Sequence, residues 1–395
     1  MKNKKFIILL IAAVILSSII SFKMGQNKSM AYNANDDENI VKKIKYIEEF
    51  IKTNYLRDIT DEELTEGIYK GVVSALNDPY SEYMTVEEFD EFMQDTSGKF
   101  FGIGVYVHAA EDGFITVVSP IKNTPAYEAG ILTGDKIIKV DGEVYTSDQL
   151  TEATSKIKGP KNTDVVLTIR RGEGEKQKEF DLTITRDEIE VITVELEKLD
   201  KDIAYVSISQ FNEVTYNEFK EIIEKIKKDK YKGMVLDLRS NPGGLLSECT
   251  AVADELLGKG MIVYTERKGG VADDKYYSDE EMIDIPMVVL INGGSASASE
   301  ILAGAIRDHN RGLLIGEKTF GKGVVQTIKT LPDGSGIKLT ISEYFTPNGE
   351  NIDGLGIEPD VEVKLNEDVK KIGFENLKED NQLQEALKII RQKIK

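Results

Sequence analysis

The chain has 395 residues, room for two or three domains at roughly 150 residues each, and 41% of them are hydrophobic, which excludes a wholly disordered chain. Fifty Lys and Arg stand against 69 Asp and Glu, and the acid is concentrated beyond residue 30, so phosphate repulsion excludes a general nucleic-acid binder. One cysteine, Cys249, excludes an intrachain disulfide and a Cys-rich metal site, and the two histidines, His108 and His309, exclude an HExxH zinc motif.

Phe6 to Phe22 is apolar and small, broken only by Ser17, Ser18 and Ser21. Lys2, Lys4 and Lys5 precede it and Lys23 and Lys28 follow. At 1.5 Å per residue the run spans about 26 Å, slightly short of a bilayer core of about 30 Å. Residues 1–30 therefore read as a signal-anchor or a signal peptide plus linker, which places the body outside the cytoplasm.

Residues 31–95 are predicted to be helical. Ile44, Ile47, Phe50 and Ile51 recur at helical spacing, as do Leu64, Ile68 and Val72, and Asn77-Asp78-Pro79 punctuates them. From Phe100 the period becomes two, through Ile103, Val105, Val107, Ile115 and Val117. With a short helix at Pro125–Gly130 and a second near Gln149–Ile157, residues 96–188 form a small β-rich domain with two helices. Residues 189–365 alternate apolar strands, such as Ala204–Ser209, Met234–Leu238 and Met287–Ile291, with helices such as Tyr216–Lys228 and Ser297–Arg307. That alternation predicts an α/β domain on a parallel or mixed sheet. Residues 366–395 form a charged helical tail.

Three segments could carry chemistry. Asn292-Gly293-Gly294-Ser295-Ala296-Ser297-Ala298-Ser299-Glu300 joins a strand to a helix. A serine there can be exposed on a tight turn beside backbone N–H groups, as acyl transfer requires. Ser297-x-x-Glu300 fits a helix-capping box equally well. Gly316 to Gly323 fits G-x-x-x-x-G-K, the start of a P-loop. Gly323 stands where the magnesium-binding hydroxyl belongs, and the following Val324–Ile328 is β-like, both contrary to nucleotide binding. Lys322 in that segment, if shielded from water, would lose its proton readily and could act as a general base. Asp237 to Gly244 ends in a Gly-Gly pair whose backbone can approach a ligand closely.

In this order the three segments resemble the S41 family of Ser-Lys peptidases, the carboxyl-terminal processing or tail-specific proteases. Ser-Ala-Ser-Ala-Ser-Glu at 295–300 and Thr-Phe-Gly-Lys-Gly at 319–323 with Val325-Gln326 behind it carry most of the resemblance. Asp78-Pro79-Tyr80-Ser81, Phe101-Gly102-Ile103-Gly104, Asn241-Pro242-Gly243-Gly244, Thr346-Pro347-Asn348-Gly349 and Gly356-Ile357-Glu358-Pro359-Asp360 complete it, from about Ile40 to Glu362. The resemblance implies an α/β multidomain protein: an N-terminal membrane segment, a helical region, a PDZ domain and an α/β Ser-Lys protease core. It implies Ser297 as nucleophile, Lys322 as base, Gln326 to orient the lysine, and an oxyanion hole from the N–H of Ala298 and of Gly244, with Gly243 as its rival. It implies that the PDZ domain captures a protein C-terminus through Phe101, Gly102, Ile103 and Gly104, with Arg171, or its neighbour Arg170, coupling binding to activation. The expectation is an exported serine endopeptidase, anchored at the extracytoplasmic face of the cell membrane or secreted, needing no cofactor, acting on proteins with free apolar C-termini and assembling as a homodimer. The other reading is a membrane-anchored PDZ scaffold without catalysis.

Overall fold

The computed structural model describes residues 34–110, 112–172, 174–200 and 202–394. The apolar run at 6–22 lies outside them, and no helix among the described residues is long and apolar enough to cross a membrane. The chain divides into two compact units, residues 1–72 and 73–395. The first holds helix α1 (Ala34–Asn54) and most of α2 (Asp61–Ser74). Thr60 starts α2: its N–H and hydroxyl donate to the Glu63 carboxylate, and its hydroxyl accepts from the Glu63 N–H. This reciprocal cap satisfies donors that the first turn leaves open.

The second unit opens with a turn at 77–81, a short strand β1 (Glu82–Met84) and helix α3 (Val86–Ser97). The helical expectation over residues 31–95 therefore skipped a strand. Three residues are too few to show a period. Thr85 and Glu88 cap α3 reciprocally and Gly98 ends it in a left-handed conformation at φ 68°.

The next domain runs through β2 (Lys99–Gly102), β3 (Val105–Ala109), β4 (Ile115–Pro120), α4 (Pro125–Glu128), β5 (Lys136–Val140), β6 (Glu143–Val144), α5 (Leu150–Ile157), β7 (Asp164–Arg171), β8 (Lys178–Thr185) and β9 (Asp187–Glu190). Its antiparallel sheet has the order β3-β4-β5-β7-β8, so β3 is an edge strand. Ile115, Val117, Ile137, Val165, Leu167 and Ile169 alternate inward and form its core with Ile103 and Ile157. β2 leaves that sheet to pair with β9.

The large domain comprises β10 (Val194–Asp200), β11 (Ile203–Ile208), α6 (Thr215–Asp229), β12 (Gly233–Asp237), α7 (Leu246–Leu256), β13 (Gly260–Arg267), β14 (Val271–Ser278), β15 (Met287–Ile291), α8 (Ala298–Asp308), β16 (Leu313–Gly316), β17 (Val324–Thr330), β18 (Gly336–Phe345), β19 (Val361–Glu362) and α9 (Asn381–Lys393). Its main sheet has the order β10-β11-β12-β15-β16-β19, parallel except at β10. Strands β12 and β15 are wholly buried because both faces are covered. Helices α6, α7 and α8 pack on one face with Val206, Leu236 and Val289. The opposite face, with Tyr205, Val235 and Leu290, is covered by α9 through Leu383, Ala386, Leu387 and Ile390. The C-terminal helix is thus a layer of the core rather than a charged appendage. Each of its large buried side chains contributes about 2 kcal/mol of apolar burial. A second, antiparallel sheet, β1-β18-β13-β14 with β17 on β18, closes the site from the side.

Candidate active site

The buried strand β15 delivers the chain to Asn292, and α8 begins at Ala298. Between them Ser297 sits at φ 53°, ψ −114°, a region that costs a non-glycine residue about 1–3 kcal/mol. The three serines of the run separate cleanly. Ser295 and Ser299 are fully buried, and their hydroxyls donate to Leu238 O at 2.8 Å and to Asn241 O at 3.0 Å. They fasten the turn to the Gly-Gly loop. Ser297 is half-buried and lines a cavity of about 320 Å³ together with Ala298, Gly243, Gly244, Lys322, Gln326 and Tyr344.

The Gly-Gly loop approaches so closely that side chains are excluded. A Cβ on Gly243 (φ 101°) would lie 2.7 Å from Ala296 O and 2.8 Å from Ser297 Cβ, and one on Gly244 (φ 138°) 2.0 Å from Phe211 O. Asn241, fully buried beneath the loop, donates through Nδ2 to Ile208 O at 2.8 Å and accepts the Gly243 N–H on Oδ1 at 2.9 Å. The Gly243 donor is therefore occupied, which corrects its place among the oxyanion candidates. Among the described residues the N–H groups of Gly244 and Ala298 make no hydrogen bond, and both border the cavity. Two open donors beside a strained serine at a positive helix end suit a developing oxyanion.

Glu300 ties the 295–300 and 319–323 segments together. Its fully buried carboxylate accepts the N–H of Ser297 at 2.9 Å and of Lys322 at 2.8 Å on Oε2, and the N–H of Gly321 at 2.7 Å and the Thr319 hydroxyl at 2.6 Å on Oε1. The Tyr344 hydroxyl donates to Lys322 O and lies beside the Ser297 side chain. Burial, foremost, and the charge of Lys338 push Lys322 below the ordinary lysine range, against the opposing pull of Asp78, Glu82 and Glu300. Its Nζ lies 4.8 Å from the Tyr80 ring centroid, and no hydrogen bond joins it to Ser297 or Gln326 among the described residues. Gln326 Nε2 is buried without a partner.

Glu300, Tyr80 and Tyr344 join the site in the structure without a sequence pattern that gives them a role there. Glu300 had a signal, its place three residues after Ser297, but one that the cap alone would explain. The Gly316–Gly323 segment runs into strand β17 with no helix at its end, so it lacks the geometry of a phosphate-binding loop. His309 caps the far end of α8, its ring bonded to Met261 O at 2.7 Å, about 18 Å along the helix from Ser297.

In the small domain Phe101 and Gly102 are committed to β2, paired with Glu188 and Asp187. The expected four-residue loop is thereby reduced to Ile103 and Gly104, whose N–H groups make no hydrogen bond among the described residues. Arg171 is held by both carboxylate oxygens of Asp135, at 2.6 and 2.7 Å, and by Gly130 O at 2.7 Å. Arg170 pairs with Glu179 and lies over the Phe114 ring. Among the described residues neither arginine bonds to a residue of the cavity beside Ser297.

Fold and site together define a serine-type peptidase with a PDZ domain inserted ahead of its catalytic core. The family model for peptidase family S41 matches residues 202–363, one for a PDZ domain residues 116–171, and one for the N-terminal domain of the activating protease CtpB residues 15–88. The carboxy-terminal-processing protease of Bartonella bacilliformis is 41% identical over 369 residues, covering 91% of this chain and 82% of the relative. The carboxy-terminal processing protease CtpA of Bacillus subtilis is 40% identical over 365 residues, 92% of this chain and 77% of the relative. A putative S41 protease from Bacteroides fragilis shares the fold, with a TM-score of 0.55 at 16% identity over 88% of this chain and 97% of that structure. The chain belongs to the S41 peptidase family.

Proposed function

We propose that the protein is an exported endopeptidase that holds the free C-terminus of a protein substrate in its PDZ domain and cleaves near that tail through an acyl-enzyme on Ser297. The observation that carries this reading is the convergence of Ser297, Lys322 and the two open N–H groups of Ala298 and Gly244 on one cavity. Neutral Lys322 takes the proton of Ser297 Oγ as the oxygen attacks the scissile carbonyl carbon. The carbonyl oxygen, now negative, rests on the Ala298 and Gly244 N–H groups. The Lys322 ammonium returns its proton to the leaving amine, then Lys322 deprotonates the water that releases the acyl group. Gln326 would orient the lysine once substrate closes the site. The residues called on are the chain's own, and no metal or organic cofactor enters a step.

The unpaired edge of β3, adjoining the uncommitted N–H groups of Ile103 and Gly104, supports capture of a tail as an added strand with its carboxylate at the loop. The curated relatives named for carboxy-terminal processing support the same choice of substrate end. The lysine-flanked run at 6–22 supports delivery across a membrane, anchored or released. Ile40, Ile47 and Phe50, exposed on α1, are an apolar stripe suited to pairing two copies.

The test is cleavage of a poorly folded protein with an apolar C-terminus by wild type, Ser297→Ala and Lys322→Ala. Cleavage by wild type alone is expected. Wild type that binds the tail peptide but never cleaves would favour the scaffold reading, and cleavage surviving Ser297→Ala would remove the nucleophile assignment.

A further inference from the structure

The Asp78-Pro79-Tyr80-Ser81 turn is built with care for a segment that no step above uses. Asp78 accepts the Tyr80 N–H at 3.1 Å and the Ser81 hydroxyl at 2.5 Å. Ser81 Oγ in turn accepts the Thr340 N–H of β18 at 2.9 Å, and the next residues pair as β1 with that strand. Tyr80 is thus fixed to the sheet that also carries Tyr344. Its ring is the group on which Lys322 Nζ rests, at 4.8 Å from the centroid.

Lys322 is anchored at its backbone on both sides. Glu300 takes its N–H and Tyr344 donates to its carbonyl. Any path from the observed position to Ser297 Oγ therefore runs through the side-chain torsions. At the end of that side chain Nζ makes no ion pair or hydrogen bond among the described residues, and the buried Nε2 of Gln326 has no partner. The ring is what Nζ touches instead.

We propose that Tyr80 is a positioning residue whose ring is a resting place for the Lys322 ammonium, holding it off Ser297 until substrate draws the lysine across. The inference rests on the reading of Lys322 as the base. The physics is selective for the form that cannot catalyse. An aromatic face attracts an ammonium through its quadrupole and has little hold on a neutral amine. Losing the proton frees the lysine to turn towards Ser297, and gaining it returns the lysine to the ring. The other charged and titratable groups around Lys322 come from several elements: Lys338 and Tyr344 from β18, Glu82 from β1, Asp78 from the turn and Glu300 from α8. Asp353 faces both tyrosines. None of them places a bond on Nζ.

The experiment uses the full chain and a fluorophosphonate that labels an activated serine without needing a peptide tail. Position 80 is varied as Tyr80→Phe, as a series of singly, doubly and triply fluorinated phenylalanines, and as Tyr80→Leu. Fluorination keeps the ring's shape and drains its quadrupole, so a packing role leaves the series flat. The labelling rate at neutral pH should match wild type in Tyr80→Phe, rise with each fluorine to about fivefold, and its rising pH limb should move to lower pH. A flat series, or one that slows with fluorination, overturns the proposal whether or not Tyr80→Leu folds. Lys322→Ala must lose labelling. If it labels as wild type does, the Ser-Lys reading falls first, which separates the two failures.

Discussion

Backbone N–H groups are used in opposite ways in the two functional regions of the second unit. Around Ser297 nearly all are taken: Glu300 accepts three, from Ser297, Gly321 and Lys322, and Asn241 accepts that of Gly243. Among the described residues those of Ala298 and Gly244 remain open. Along β3 of the PDZ domain a whole strand edge is open, and the loop leading into it adds Ile103 and Gly104. On the proposed reading, the first region fixes a few donors where charge would develop in a transition state, which requires that nothing reorganise. The second would leave a ladder for an extended chain to complete, which requires only that an edge be free. The turns of the first are held by the buried polar acceptors Glu300 and Asn241. The core of the second is held by alternating Ile, Val and Leu, with its polar ties kept inside the domain, as Arg171 to Asp135 illustrates.

This contrast makes the two regions separable by mutation. The largest effect is expected at the reacting groups. Ser297→Ala and Lys322→Ala should each lower the kcat/KM for protein cleavage by about a thousandfold or more, while a tail peptide binds the variants as it binds wild type, measured by calorimetry. Tail affinity that collapses with either change would show that the two regions are one site.

Next comes the frame. Glu300→Gln keeps the shape but turns an NH₂ group towards N–H donors, leaving buried donors unmatched. About a hundredfold loss of kcat and about 2–3 kcal/mol of stability are expected, with the KM for a short ester little changed. Denaturant melts and steady-state kinetics on the same preparation decide it. Retained kcat with lost stability would reduce Glu300 to a helix cap.

A smaller effect is expected on the other side of the comparison. Gly104 sits at φ 77°, and a Cβ there would meet Thr124 side-chain atoms at 2.5 Å. Gly104→Ala should therefore shift the loop, raising KM for a tailed protein about tenfold with no change on a tail-less ester. An equal loss on both substrates would place Gly104 in folding rather than in capture.

Much of this was legible in the sequence, for reasons that can be named. The main-sheet strands β11, β12 and β15 are buried on both faces and read as continuous apolar runs. Ser297 and Lys322 stand in short motifs whose glycines and small residues mark tight turns. What escaped comes from afar or looks ordinary. Tyr80 is brought to Lys322 by the pairing of β1 with β18, which joins residues 82–84 to 336–338, and Tyr344 by the pairing of β17 with β18, which sets Val324 against Glu343. β14 reads Val-Ala-Asp-Asp-Lys-Tyr-Tyr-Ser, with too few apolar residues to show a period. The tail helix α9 looked polar because its apolar residues, Leu383, Leu387 and Ile390, form a narrow stripe. Its cap, Asp380, binds the buried Arg239 at 2.9 and 2.7 Å, and Arg239 also holds Asp237 just ahead of the Gly-Gly loop. No local pattern announces a pairing across so much chain.

The smallest effect tests what the catalytic region gives up in order to work. Burial, above all, holds Lys322 below its ordinary range in the folded state. Between the folded and unfolded values the native chain binds fewer protons than the unfolded one, so this group's contribution to stability rises with pH across that window. Below the folded value the ammonium is held in a half-dry site at a cost, and above about pH 10.4, the unfolded value, that cost is gone. Lys322→Met keeps the length of the side chain and removes the charge. It should raise the melting temperature by a few degrees at low and neutral pH, and the gain should shrink as pH climbs through the window. A gain at Lys322 independent of pH would assign the effect to packing, and a loss would mean that the ring of Tyr80 and the facing carboxylates of Asp78, Glu82 and Glu300 outweigh the burial.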